Sequence, residues 1–239
     1  MSIRATPPLP SPLTSKRVFL HRNVKSPTAD LPRWMEEISD RIGDAKLGDL
    51  WIPGTDDSAG DPGRSATGVH TIDGQLNSGV RYLDLRPTAD TRGDYYLCHG
   101  GSERGDSMRT DISLADLLGV TRRFLEAHPY EIVIFDFGQT AEADDNHLVG
   151  RIMDEIGPYA VPAERGADVE LRELWERRER AIIAYPFHRQ ANVRAEEYRA
   201  RLWSAPADAA PGKAHFKVIA SDFRNSARTV DICIALNRG

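Results

Sequence analysis

Three short runs in this sequence end an apolar stretch on charged or titratable side chains: Ile52-Pro53-Gly54-Thr55-Asp56-Asp57-Ser58-Ala59, Arg81-Tyr82-Leu83-Asp84-Leu85-Arg86-Pro87 and Tyr96-Leu97-Cys98-His99-Gly100. Taken singly, each has a bland reading. Asp56 and Asp57 cap a turn, Arg86 pairs with one of them, and His99 is a satisfied rim histidine. Taken together they supply the parts of phosphoryl transfer, because an arginine can hold a phosphate oxygen while a histidine and a carboxylate move protons on either side. Asp56, Asp57, Arg86 and His99 are therefore candidate catalytic residues. Asp222, in Ser221-Asp222-Phe223, follows another apolar run and joins them, with a loop cap as its other reading. Asp84 points away from Leu83 and Leu85 on its strand, so it either faces the site as a substrate-binding group or pairs internally. Tyr185, Phe187 and His188, just beyond a further apolar run, are candidate substrate-binding residues. His70, His128, His147 and His215 read as solvated.

The elements that must carry these groups alternate. Trp34, Met35, Ile38, Ile42 and Leu47 recur at helical spacing and predict a helix ahead of a strand at Leu50-Trp51-Ile52. Residues 80–85, 95–98, 131–137, 181–185 and 216–220 read as strands. Residues 114–127, 147–157, 171–178 and 196–203 read as helices, and 230–236 as a closing apolar segment. Strands alternating with helices predict a parallel sheet covered on both faces, either a barrel or a doubly wound sheet. Residues 1–30 carry five prolines without hydrophobic periodicity and predict an extended or partly disordered leader to a single domain over 31–239. The small-residue loop Ser204 to Ala214 stands where another strand and helix are expected, so the barrel wall can be incomplete there.

Composition narrows the partners. The 31 basic and 36 acidic residues give a net charge of −5 and are mixed along the chain, with no basic run to neutralise a phosphate backbone. Nucleic acid is not an expected partner. Cys98 and Cys233 each lie in an apolar stretch that reads as a strand, where a thiol behaves as a small buried hydrophobe. Prolines and polar residues interrupt the N-terminus where a secretory signal needs an apolar run, and nothing approaches the roughly 18 apolar residues of a membrane span. A cytoplasmic protein is expected.

The string IPGTDDSA resembles the first signature of the phosphatidylinositol-specific phospholipase C family, usually written IPGTHDS. QLNSGVRYLDLRP, YLCHG and FLEAHPYEIVIFDF follow in the family's order, and FKVIASDF with VDICIALN is similar to its last barrel segment. The resemblance implies an α/β fold of the distorted TIM-like barrel type. It implies a reaction in which one histidine takes the proton of an inositol hydroxyl that attacks phosphorus, giving a cyclic phosphodiester, and a second histidine protonates the leaving lipid alcohol. By the same resemblance His99 matches the acid, Asp57 its supporting carboxylate, and Arg86 the arginine that stands, in the metal-independent bacterial branch, where animal enzymes bind calcium. No metal and no cofactor are expected.

Two departures accompany the match. The family's base histidine falls on Asp56, and an aspartate with an ordinary pKa near 3.9 is a weak base at neutral pH. A neighbouring carboxylate and burial raise such a value in general, and an arginine lowers it. Where some bacterial members bind inositol through a lysine and an arginine, this chain has Gly138 and Tyr185-Pro186-Phe187. Three readings follow: a phosphodiesterase or cyclising lyase with Asp56 as base, a repurposed barrel enzyme for a small non-lipid substrate, and an inactive anion-binding homologue. The partner is a small-molecule or phospholipid-like substrate, with at most transient membrane contact.

Overall fold

The computed structural model describes residues 30–58, 71–99, 108–138, 144–204, 215–221 and 226–239. The leader up to residue 29, Asp222, and residues 205–214 of the proline-rich loop lie outside the described residues. The strands are β1 (Trp51–Thr55), β2 (Tyr82–Asp84), β3 (Pro87–Ala89), β4 (Tyr95–His99), β5 (Met108–Ser113), β6 (Val133–Asp136), β7 (Ala181–Ala184), β8 (Leu202–Trp203) and β9 (Lys217–Ser221). The helices that matter below are α1 (Trp34–Glu37), α2 (Ser39–Ile42), α3 (Ile72–Asn77), α4 (Leu114–Ala127), α5 (Asp145–Ile156), α6 (Leu171–Arg177), α7 (Phe187–Gln190), α8 (Glu196–Arg199) and α9 (Ser226–Asn237).

Six strands form one parallel sheet in the order β8-β7-β6-β2-β1-β9. From β1 to β8 each strand of the sheet pairs with the next one in the chain, and β9 leaves the β8 edge to pair with β1 at the other. Five successive strands advance in one direction and the last joins the first, which is the order a singly wound barrel has when it is laid open between β8 and β9. At the two edges Trp203, ending β8, packs against His215 and Phe216 ahead of β9, with ring centroids 5.6 and 5.4 Å away. The fold is α/β with a singly wound parallel sheet of the TIM-like type. Among the described residues no helix is long and apolar enough to cross a membrane.

Register sorts the side chains. Gly54 lies opposite Tyr82, and Asp84 opposite Asp136, which in turn lies opposite Ala184; these five share one face of the sheet. Thr55, on the other face, meets Gln75 of α3. The Gly54–Tyr82–Asp84–Asp136 face therefore looks away from the helices, into the barrel. Gly54 is required there, since a Cβ at that position would sit 2.8 Å from Cδ1 of Tyr82.

Several expectations need correction. The apolar segment 230–236 is part of helix α9, not a strand: Thr229, Val230, Cys233 and Ile234 are buried while Asp231, Ile232, Ala235 and Leu236 are exposed, which is a helical stripe. Cys233 is thus a buried residue of a helix that packs on β1. The helix expected over 196–203 stops at Arg199, and Leu202–Trp203 is strand β8. The helix expected from Trp34 to Leu47 breaks into α1, α2 and a 3-10 turn at Leu47–Asp49. Most consequential, β4 is not a barrel strand. It is the middle of a separate antiparallel sheet, β3-β4-β5. The Asp90 carboxylate accepts the N–H groups of Arg92 and Asp94, and Gly93 adopts φ +88°, so the chain turns back tightly between β3 and β4; two strands joined so closely can pair only antiparallel.

The N-terminal side of the sheet is locked by a fully buried ion pair. Arg81 Nε donates to Glu131 Oε2 at 2.8 Å, and both side chains are wholly excluded from solvent. The remaining Arg81 nitrogens donate to carbonyls of Leu76, Val80, Leu31 and Pro32, while Glu131 Oε1 accepts the N–H groups of Met35 and Glu36. Residues 31–36 are thereby strapped across the bottom of the barrel, leaving the opposite rim for chemistry.

Candidate active site

That rim is built where β1 and β2 end. The Asp57 backbone turns into the left-handed region at φ 52°, a conformation that costs an L-residue roughly 1–3 kcal/mol and persists only when its surroundings fix it. Here Asp57 N–H donates to Asp84 Oδ2 at 3.1 Å, and Ser58 N–H donates to the Asp84 carbonyl at 2.9 Å. The same Asp84 Oδ2 accepts Arg86 Nη2 at 2.8 Å, and Arg86 Nη1 lies 3.6 Å from Asp57 Oδ2. Each of these three side chains is between 15 and 17% exposed, so the ion pairs are shielded yet reachable from the rim. Burial opposes the charge on Arg86. The hydrogen bond and charge of Asp84, with the charge of Asp57, outweigh it and hold the guanidinium above its ordinary pKa. Arg86 Nε is buried with no hydrogen-bond partner among the described residues.

The antiparallel sheet reaches this corner through Cys98, whose N–H and thiol both donate to the Arg86 carbonyl, at 2.9 and 3.1 Å. Burial, and then the nearby Asp57 charge, push the Cys98 thiol pKa up, so it stays a neutral packing group. His99 is the next residue and ends β4; its side chain lies outside the described residues. Asp56 is exposed, with its N–H on the Ser221 carbonyl at 3.1 Å.

The structure thus brings together Asp57, Asp84 and Arg86, seats Asp56 beside them in the chain, and runs the main chain of His99 past Arg86. It puts Tyr185, Phe187 and His188 elsewhere on the rim, after β7, with β6 between them and β2. Tyr185 is fully buried and its hydroxyl donates to Asp145, which also accepts Arg189 Nε at 2.8 Å and Asn192 Nδ2 at 2.7 Å. Phe187 is 68% exposed and His188 is exposed.

Residues that sequence reasoning did not single out complete the floor. Asp136 is buried at the end of β6, accepting the Tyr82 hydroxyl at 2.7 Å on Oδ2 and the Gly138 N–H at 2.9 Å on Oδ1. Burial, and then Asp136, raise the Tyr82 pKa far above that of an ordinary phenol, so it remains a donor. The signal for Asp136 was available: it is the one carboxylate within the otherwise apolar run Val133-Ile134-Phe135-Asp136-Phe137. Among the described residues no group of three or more His, Cys, Asp or Glu side chains is arranged to hold a metal ion.

No family model matches the chain. PI-PLC X domain-containing protein 2 of Mus musculus is 34% identical over 134 residues, 53% of this chain and 37% of that protein. PI-PLC X domain-containing protein 1 of Mus musculus is 35% identical over 129 residues, 51% of this chain and 34% of that protein. The chain therefore spans little more than a third of the length of these relatives. The crystal structure of S. officinalis PLC21 superposes with a TM-score of 0.51 at 15% identity, covering 75% of this chain and 27% of that one, a likeness of fold alone. The chain is thus similar in sequence to PI-PLC X domain-containing proteins over about half its length, and it carries that likeness on a parallel sheet wound as a TIM-like barrel.

Proposed function

We propose that the chain is a phosphodiesterase of the phospholipase C type, acting at the rim around Arg86 with Asp56 in the base position. The observation that carries the reading is the Arg86 guanidinium, fixed between Asp57 and Asp84 with its Nε left without a partner among the described residues. A cation held in place before substrate arrives needs little reorganisation to meet the charge that grows on a phosphoryl oxygen in the transition state. In the proposed reaction Asp56 takes the proton of a substrate hydroxyl, and the freed oxygen attacks phosphorus. The bond to the leaving alcohol breaks as His99 protonates it, and a cyclic phosphodiester remains. Arg86 supplies positive charge throughout, so no metal is required. The substrate is a small-molecule or phospholipid-like phosphodiester.

A second reading keeps this chemistry for a small non-lipid phosphodiester. It is favoured by Tyr185, a candidate for substrate contact whose hydroxyl is instead taken up by Asp145. Phosphorus NMR separates the two. Wild-type protein is incubated with phosphatidylinositol in mixed micelles and, in parallel, with glycerophosphoinositol. A cyclic phosphate signal from the micelles supports the lipid reading, and one from glycerophosphoinositol alone supports the second. Silence from both, in folded protein, removes the enzyme.

A further inference from the structure

Behind the Asp56–Asp57 turn lies a polar chain that the proposed chemistry does not use. Thr55, Ser58 and Gln75 are each fully buried. Thr55 Oγ1 donates to Gln75 Oε1 at 2.7 Å, and Gln75 Nε2 donates to the Ser58 carbonyl at 2.9 Å. Ser58 Oγ lies 2.7 Å from Thr55 Oγ1 and 3.1 Å from the Thr55 carbonyl, and it accepts the Asp84 N–H at 2.9 Å. The amide oxygen of Gln75 can only accept, so the single Thr55 proton is committed to it. Ser58 must then direct its own proton at Thr55. Gln75 thus fixes the direction of the Thr55 hydroxyl, and the Ser58 proton goes to Thr55 at Oγ1 or at the carbonyl.

We propose that Gln75 is a positioning residue for the acid–base chemistry set out above, a proposal that rests on that reading of the site. Its amide bridges the residue before Asp56 and the residue after Asp57, so the two aspartates sit on a loop pinned at both ends from helix α3. Through Ser58 the same bridge grips the backbone of Asp84, whose carboxylate holds Arg86. Base and anion-holding arginine are thereby referred to one buried side chain that touches neither. The proposal gives a physical reason for residue types that the chemistry alone leaves unexplained: Thr55 and Ser58 in IPGTDDSA, and the glutamine that opens QLNSGVRYLDLRP.

The test uses Gln75→Met, which keeps length and volume but removes both polar contacts, and Thr55→Val, which cuts the same chain at its other end. The second variant serves if the first fails to fold. Turnover is expressed per folded molecule. The expected result is a fall of about 10²-fold in kcat with KM little changed, the size of effect a displacement of about 1 Å produces. In parallel, inorganic phosphate is titrated against the Arg86 Nε–H signal in ¹⁵N NMR, which needs no turnover. The wild-type signal shifts with phosphate, and the variants lose that response. Wild-type kcat in a folded variant, or an unchanged phosphate response, overturns the proposal. If neither wild type nor any Asp56 variant turns over a phosphodiester, the enzymatic reading fails by itself and the phosphate titration alone decides the role of Gln75.

Discussion

Arg86 is held by Asp84 through a 2.8 Å contact from Nη2 to Oδ2, and that same oxygen accepts the N–H of Asp57. One carboxylate oxygen therefore fixes both the cation and the strained turn beside it. Asp84→Asn keeps the shape and removes the charge. It should lower stability by about 1.5–3 kcal/mol, the range for a hydrogen bond to a charged partner. A double-mutant cycle with Arg86→Met, read by urea denaturation, measures the coupling. A coupling near zero would show that the contact holds nothing.

In the proposed reaction Arg86 stands in for a metal. Its planar fork can serve Asp57, Asp84 and an incoming oxygen at once, which the point charge of a lysine cannot. Arg86→Lys should therefore lose about 10²-fold or more in turnover, whereas EDTA should leave wild-type turnover unaltered. Activity lost in EDTA and restored by calcium would mean that another cation does this work.

The strap across the barrel bottom depends on an ion pair with no access to water. Removing one partner leaves the other charge buried and unpaired, at a cost of about 3–5 kcal/mol. Glu131→Gln and Arg81→Met should each destabilise by that order in chemical denaturation, and should free residues 31–36 to proteolysis. The double replacement should cost less than the sum of the two. Additive losses would contradict a coupled pair.

Burial pushes the Cys233 thiol up to about 12. A raised pKa contributes stability that is complete below the unfolded thiol's value near 8.5 and is lost as pH climbs toward the folded value. Above pH about 9 the wild type should lose about 1.4 kcal/mol per pH unit more than Cys233→Ala. Parallel stability profiles for the two proteins would show that the thiol ionises as freely folded as unfolded.

Much of this was legible in the sequence because apolar runs report burial directly. The helix over 114–127 and the strands ending at Asp84 and Asp136 sit within a few residues of where periodicity put them. Segment 230–236 misled because Val, Ile and Cys suit a strand and a buried helix equally. Only the exposure of Ile232 and Leu236 separates the two. Strand β4 misled because periodicity reports that a strand exists but not which sheet it joins. The Asp90 to Asp94 turn carries that information in its Asp and Gly chemistry. At the site, charged residues after strands were readable singly. The role of Gln75 was not, because a polar residue inside an amphipathic helix looks solvated until its partners are known.

The proposal that the Arg86 corner cleaves phosphodiesters with Asp56 at the base position meets its most direct test when a histidine is put at that position. General base catalysis contributes about 10²–10⁴-fold when the group's pKa lies near the working pH, and an ordinary histidine near 6.5 suits neutral pH better than an ordinary aspartate near 3.9. The measurement is release of water-soluble inositol phosphate from phosphatidylinositol micelles by wild type, by Asp56→His, and by Asp56→His combined with His99→Ala. Turnover by Asp56→His is expected to exceed that of wild type and to be lost again when His99 is removed. A folded Asp56→His protein that releases no inositol phosphate would contradict it.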